Sequence, residues 1–428
     1  MSNVKSQFPS LRFDGFAGNW QETSFGQITQ ISSASRVHKH EWKKSGVPFF
    51  RTSDVVAHFK SAENEKAYIS YELYTSLSRK SGRVKKGDLL VTGGGSVGIP
   101  YLITSNTPLY FKDADLLWIK NKNNSGYFLY TYFMSPMFRG YLDGISHIGT
   151  ISHYTISQAN STPITIPTTL DEQTKIGDFF QNLDQQIKLH QDKHNKLQQL
   201  KQAMLGKMFP KFGAKVPQVR FDGFNSDWEI KEFQSVFVNI RNNSLSRAEL
   251  NDNTGIGMNV HYGDVLVKFG EILDFTLEKV PFITNGGAVE KMMPNRLQDG
   301  DVVIADAAED ITVGKCCEVN NLGDQLLFAG LHTIAVRPKK AFAPKYLGYF
   351  LNSNLYHDQL LTLIQGTKVS SISKSSIAET LIYYPKDTEE QAKIGEYFHK
   401  FDRLISLQQQ KINKLKNIKQ ACLGKMFV

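Results

Sequence analysis

A forty-residue stretch occurs twice in this chain, and that repetition limits what the chain can fold into more than any other feature. Asp171–Pro210 reads DEQTKIGDFFQNLDQQIKLHQDKHNKLQQLKQAMLGKMFP, and Glu389–Val428 reads EEQAKIGEYFHKFDRLISLQQQKINKLKNIKQACLGKMFV. At a constant offset of 218, 22 of the 40 positions are identical, among them Lys175/Lys393, Ile176/Ile394, Gly177/Gly395, Asp184/Asp402 and the closing LGKMF. Convergence on a generic helix does not produce such identity, so one structural unit is used twice.

The spacing inside the repeat predicts its shape. Seam positions fall at Ile176, Phe180, Leu183, Ile187, His190, His194, Leu197, Lys201, Met204 and Met208. The second copy carries Ile394, Phe398, Phe401, Ile405, Gln408, Ile412, Leu415, Lys419, Cys422 and Met426 at the same places. Steps of four and three averaging 3.5 residues are those of a coiled coil with polar interruptions. Thr169 with Glu172, and Asp387 with Glu390, stand as N-cap and N3 acid at each helix start. At 1.5 Å per residue each helix is roughly 55–60 Å long, more than one small domain can bury, so the natural partner of each copy is the other. A pair of helices inside a larger core is the alternative, but the polar centre at His190, His194 and Gln408 favours a two-helix spacer.

A second match precedes the first. Pro9–Trp20, PSLRFDGFAGNW, recurs as Pro217–Trp228, PQVRFDGFNSDW, at an offset of 208. Between this opening and the helix the halves diverge. The first body predicts strands at Val47–Val55, Gly87–Thr92 and Leu116–Lys120, a turn at Gly93–Gly98 (GGGSVG) and a helix near Gly126–Leu142. The second predicts strands at Gly263–Gly270, Gly300–Ala307, Lys315–Val319 and His332–Pro338, and a helix near Pro344–Leu363. The expected fold is therefore mixed α/β (α+β). It has a body at 1–170, a long helix at 171–210, a second body at 211–388 and a second long helix at 389–428, the helices pairing as a coiled coil.

Composition narrows the class. With 428 residues, 41% hydrophobic and 21% charged, the chain has the make-up of an ordinary globular protein, and each half is long enough for its own core. No apolar run approaches the ~20 residues of a membrane-spanning helix. The opening MSNVKSQFPS lacks the apolar stretch of a signal peptide, so a cytoplasmic location is expected. Cys316, Cys317 and Cys422 form neither a disulfide framework nor a metal-spaced pair. A net charge of +9 and a pI near 9.1 favour a polyanionic partner.

Catalytic patterns are missing. There is no GxxxxGK(S/T), HExxH or GxSxG, and His38–His40 lacks acidic or thiolate company at ligand spacing, so no metal site is expected. Glu41-Trp42-Lys43 matches half of a metal-dependent nuclease site, and Asp88, Asp301 and Asp306 sit near strand ends. A three-letter pattern is common by chance, and an Asp after Gly ordinarily caps its own turn. The bodies do offer side chains suited to nucleic acid in their loops. In the first these are Lys43, Lys44, Arg51, Thr52, Ser53, Arg79, Lys80, Arg83, His147, Thr150, Ser152, His153 and Tyr154; in the second, Arg241, Asn242, Asn243, Arg247, Lys268, Thr367, Lys368, Ser370 and Ser371. Arg, Lys and Asn reach base edges, while hydroxyls and amides mainly hold phosphates.

On these residues the chain resembles the specificity (S) subunit of a type I restriction-modification system. The features that carry the resemblance are EQTKIGDFFQNLDQQI and EQAKIGEYFHKFDRLI, the LGKMF endings, GTISHYTI and GTKVSSI before each helix, and VPFFRTSDV with GDLLVTGGGSVG. The resemblance implies two target recognition domains, each reading one half of a split, asymmetric DNA site. It also implies that the two helices form an antiparallel coiled coil, which sets the separation of the domains and bears two methyltransferase subunits. S-adenosylmethionine, ATP and Mg2+ would then be used by the methyltransferase and restriction subunits, and none by this non-enzymatic chain. Ile176, Phe180, Leu183, Ile187, Leu197 and Met204, with Ile394, Phe398, Phe401, Ile405, Ile412 and Leu415, would form the helix and partner interface. Two other readings stay open: a stand-alone nuclease or methyltransferase with an unrecognised site, and a coiled-coil adaptor that binds only protein.

Overall fold

The computed structural model describes residues 8–112, 115–146, 153–366 and 369–428. They fall into two compact units, one holding the residues up to Gln191 together with Gln410–Val428, the other Asp192–Gln409. The long helices run Leu170–Met208 and Thr388–Lys425, so each unit contains the start of one and the end of the other. Within each unit the two stretches run antiparallel.

The units share one plan. In the first, Gln21–Ser24 pairs with Pro163–Ile166, and Thr29–Ser32, Leu116–Asn121, Leu89–Thr92 and Pro100–Leu102 form an antiparallel sheet in that order. A second sheet orders Ala67–Ile69, Val47–Phe50 and Tyr110–Phe111. In the second unit Glu229–Glu232 pairs with Leu381–Tyr384, and Phe237–Ile240, Thr333–Pro338, Val302–Ala305 and Cys316–Asn320 repeat the first sheet, with Ile272–Asp274 added parallel at the edge. Gly257–Val260, flanked by Phe282–Ile283 and parallel to Leu326–Ala329, repeats the second sheet. The expected mixed α+β class is the observed one.

Several local expectations need correction. Val47–Val55 is a strand only to Phe50; Thr52–Lys60 is helical. Gly263–Gly270 is no strand but largely the helix Tyr262–Val267, the counterpart of Thr52–Lys60. A short apolar run after Gly-Asp is compatible with either state, and here the His261 ring accepts the Gly263 N–H at 3.2 Å and starts a helix. The single helix expected near Gly126–Leu142 is two, Gly126–Met134 and Pro136–Ser146, because Ser135 precedes proline and is extended (φ −74°, ψ 154°). Its counterpart also breaks, into Tyr346–Leu351 and Asn354–Leu361.

The two duplicated motifs interlock. Arg12 Nε and Nη2 donate to Glu172 Oε1 and Oε2 at 2.6 and 2.8 Å, and Trp20 Nε1 reaches the same carboxylate at 3.2 Å. Arg220 and Trp228 hold Glu390 likewise, at 2.7, 2.8 and 3.4 Å. These glutamates therefore do not close a capping box; the caps are Thr169, which accepts the Glu172 N–H at 3.3 Å, and Asp387, which accepts the Glu389 N–H at 2.8 Å. The neighbouring Gln173 and Gln391 bridge helix to body. Each donates to a proline carbonyl, Pro167 at 3.2 Å and Pro385 at 2.8 Å, and accepts a body N–H, from Ser125 at 3.1 Å and Ala343 at 3.0 Å. Lys175 lies over Phe13 and Phe16, and Lys393 over Phe224. Gly177 and Gly395 come so close to the body that a Cβ would stand 2.9 Å from Phe128 N and 2.9 Å from Pro344 O.

The ends of the seam pack differently from expectation. Ile176 and Phe180 join Leu423, Met426 and Phe427 inside the first body's core; Ile394 and Phe398 join Leu205, Met208 and Phe209 inside the second. The ends of the stripe are thus core of the units as well as helix contacts, while Leu183, Ile187, Leu197, Met204, Ile405 and Leu415 are only half-buried; Phe401 and Ile412 are buried. Among the described residues no helix is long and apolar enough to cross a membrane.

Candidate nucleic-acid interface

Each unit brings three segments to one point through the same backbone hydrogen bonds. At the end of Leu89–Thr92, Gly93 N–H donates to Asp115 O and Tyr154 N–H donates to Gly93 O, both at 2.8 Å. At the end of Val302–Ala305, Asp306 N–H donates to His332 O at 3.1 Å and Ile372 N–H donates to Asp306 O at 2.9 Å. The turns close alike, Gly98 N–H on Thr92 O at 2.7 Å and Gly314 N–H on Ala305 O at 2.9 Å. Gly98 and Gly314 have φ of +75° and +92°, and a Cβ on either would meet a leucine methyl at 2.4 Å, Leu142 in one unit and Leu360 in the other. The stretch Ala307–Val313 is therefore the second unit's version of the GGGSVG turn. It is lengthened, with Ala307–Ala308 pairing with Ser370–Ser371.

The aspartates of the two Gly-Asp turns are structural. Asp88 accepts the Lys85 and Asn121 N–H groups and Trp118 Nε1. Asp301 accepts the Gln298 N–H and the Arg337 guanidinium. Glu41, of the nuclease-like triplet, accepts the His38 N–H and closes its own short turn. Among the described residues no three His, Cys, Asp or Glu side chains are grouped to hold a metal ion.

In the first unit the junction opens on a cavity of about 400 Å³ lined by Trp42, Arg51, Thr52, Ser53, Gly94, Gly95, Lys112 and Asp115. Thr52 and Ser53 begin a helix there, and the Thr52 hydroxyl lies 3.4 Å from Asp115 O. Arg51 is already engaged: it grips Asp54 at 2.8 and 3.2 Å, reaches Glu65 O and stands 5.5 Å over the Trp42 ring. The Asp54 hydrogen bond raises its pKa further, although burial opposes this. Trp42 Nε1 is buried without a partner among the described residues. Lys112 pairs with Asp115, and both are part-exposed.

The second unit has two such places. A cavity of about 500 Å³ is lined by Arg241, Asn242, Asn243, Ser244, Lys291, Met292, Asn295, Phe328, Ala329 and Leu331, cationic and amide groups above an apolar floor, with no carboxylate in that set. At the junction itself His332 Nδ1 stands 3.4 Å from Asp306 Oδ1, and the Tyr262 ring meets His332 edge-on at 5.3 Å. Burial raises the Asp306 pKa, while His332 and Lys374 pull it back. Burial likewise lowers that of His261.

Of the expected DNA-facing residues, Arg51, Thr52 and Ser53 line the first unit's cavity and Arg241, Asn242 and Asn243 line that of the second. Lys43, Lys44, Arg79, Lys80, Arg83, His153, Arg241 and Lys268 are exposed. Arg83 lies over Tyr74, and Lys268 reaches Lys279 O. Ser53 accepts an Asn64 amide hydrogen bond, and Asn242 contacts Gly330 O and Lys374. Asn243 is spent on Asn259 and Leu245, and Arg247 on Asp264 at 2.5 Å. Tyr154 is core: it is buried and its hydroxyl meets Thr162 at 2.6 Å, so it is not at the surface as expected. Ser370 and Ser371 form the short strand already described. His147, Thr150, Ser152, Thr367 and Lys368 lie outside the described residues. Lys112, Asp115, Lys291 and Asn295, which line the cavities, and Tyr262, Asp306, His332 and Lys374 at the second junction were not singled out as DNA-facing from the sequence, since no motif marks them.

The family model for the type I restriction modification DNA specificity domain matches twice, over residues 17–199 and 225–417. A protein assigned as a type I restriction enzyme specificity subunit in Haemophilus influenzae is 27% identical over 166 residues, 38% of this chain and 40% of that protein. The match thus spans about two fifths of the length of that curated relative. The crystal structure of a type I restriction-modification S subunit from M. genitalium shares the fold, with a TM-score of 0.59 at 13% identity over 98% of this chain and 99% of that one. A structure from a study of type I restriction-modification complex assembly aligns with a TM-score of 0.52 at 17% identity, over 94% and 96%.

Proposed function

The chain belongs to the type I restriction modification DNA specificity family, and from that premise we propose that it is the non-catalytic, sequence-specific DNA-binding subunit of a type I restriction-modification complex. One observation carries the reading: two units share a backbone frame, yet present different side chains on it. Each unit reads one half of a bipartite site, and because the exposed groups differ the halves differ, so the site is asymmetric. Methylation and cleavage belong to partner methyltransferase and restriction subunits, which supply the sites for S-adenosylmethionine, ATP and Mg2+. The long helices serve as the frame on which those partners assemble.

The test is an exchange. Replacing residues 22–167 with the corresponding body of another specificity subunit, in a complex with methyltransferase subunits, changes one half of the methylated sequence and leaves the other. A change in both halves, or in neither, overturns the modular reading. Methylation or cleavage of DNA by the isolated chain with S-adenosylmethionine and Mg2+ would show an enzyme instead, and salt-insensitive binding would show a protein-only adaptor.

A further inference from the structure

The junction frame pairs residues that no constant offset pairs. Thr52 and Tyr262 each begin the helix after the equivalent strand, at an offset of 210, while Asp115 and His332 stand before the equivalent strand, at an offset of 217. The members of each pair also lie against one another, by different contacts: the Thr52 hydroxyl is 3.4 Å from Asp115 O, and the Tyr262 ring meets the His332 ring edge-on at 5.3 Å. Positions 115 and 332 are therefore one structural position, and it carries a carboxylate in one unit and an imidazole in the other.

Three properties suit that position to reading DNA. Its carbonyl is fixed by the N–H of Gly93 or Asp306, so its Cα has little freedom. Its side chain is reachable, 37% exposed for Asp115 and 52% for His332. Each side chain has one polar neighbour that orients it, Lys112 beside Asp115 and Asp306 Oδ1 at 3.4 Å from His332 Nδ1. His332 in addition holds φ at +54°, in the left-handed region, as do Ser61, Asn321 and Lys345.

We propose that Asp115 and His332 are the equivalent specificity-determining residues of the two units, each contacting the edge of a base. This rests on the reading of the chain as a DNA-recognition subunit. Asp115, an acceptor only, takes a hydrogen bond from the exocyclic amino group of cytosine or adenine; His332, with Nδ1 turned to Asp306, presents Nε2 as an acceptor to such an amino group.

The experiment uses the complete methyltransferase complex and reads the methylated sequences genome-wide. Asp115→Ala is expected to relax one base position, by about tenfold in discrimination, in the half-site that exchange of residues 22–167 alters. His332→Gly, which also accepts the left-handed backbone, is expected to relax a position in the other half-site by a similar factor. Asp115→Asn and His332→Asn, close in size, serve if the first variants do not fold, and Asp115→Asn is expected to change the preferred base. Unchanged discrimination in folded variants overturns the proposal, as does relaxation of both halves by one substitution. Absence of any sequence-specific methylation by the wild-type complex instead removes the recognition reading itself, and the proposal with it.

Discussion

The guanidinium of Arg12 and the carboxylate of Glu172, 160 residues apart, form a two-pronged ion pair in which the glutamate side chain is only 3% exposed. Breaking it from the arginine side strands a buried charge. Arg12→Ala is expected to destabilise the first unit by about 3 kcal/mol, and Arg220→Ala the second by a similar amount, read as urea-unfolding midpoints. A loss below about 0.5 kcal/mol would mean that the carboxylate finds water instead.

Gly177 and Gly395 set two effects against each other. Alanine is the better helix former by about 1 kcal/mol, yet its Cβ would stand 2.9 Å from body backbone atoms. Overpacking typically costs 1–3 kcal/mol, so Gly177→Ala and Gly395→Ala are expected to lower thermal stability. Gly206→Ala, with nothing within 4 Å of its Cβ, is expected to raise it.

Two lysines at the same place in the repeat differ in burial. Lys201 is 8% exposed between Asp402 and Glu271, whereas Lys419 is 17% exposed beside an Asp184 that is 40% exposed. Lys201→Ala is expected to cost about 3 kcal/mol and Lys419→Ala less than about 1, by denaturant unfolding of each variant. Equal costs would show that the pairing itself, and not its burial, matters.

Glu318 introduces a pH dependence. Burial pushes its pKa up to about 7, against the pull of the Gly348 and Lys345 N–H groups. A carboxyl whose folded pKa lies above its unfolded value binds more protons when folded, so its contribution is full below the unfolded pKa and is lost as pH rises through the folded one. Between about pH 4.5 and 7 the second unit is expected to lose roughly 3 kcal/mol that a Glu318→Gln variant does not lose. Parallel pH profiles for the two proteins would contradict this.

Arg241 is exposed on the cavity of the second unit and makes no ion pair with another described residue. Arg241→Ala is expected to weaken binding of the complex to DNA of any sequence, and to reduce the slope of log affinity against log salt by about 1. An unchanged slope would place it off the DNA.

What could be read from the chain followed from repetition. Identity at Glu172/Glu390 and Gly177/Gly395 marked positions under shared constraint, and the 3.5-residue seam foretold two long helices. The reason for the constraint was not readable, because Arg12 meets Glu172 only once the body has folded between them. The site was less legible still. Positions 115 and 332 are joined by no motif, and the Gly-Asp at Gly263-Asp264 imitated that at Gly87-Asp88 while forming a helix.

By itself, then, the sequence determined that two units share a frame, that two long helices run through them, and which family they resemble, since periodicity and repetition are local properties of the chain. Only the tertiary structure decided that the helix ends are core of the bodies, that Tyr154 is buried, and that Asp115 and His332 are the same position. Those facts depend on hydrogen bonds and packing between segments far apart in sequence, and insertions shift such partners out of register without moving them in space.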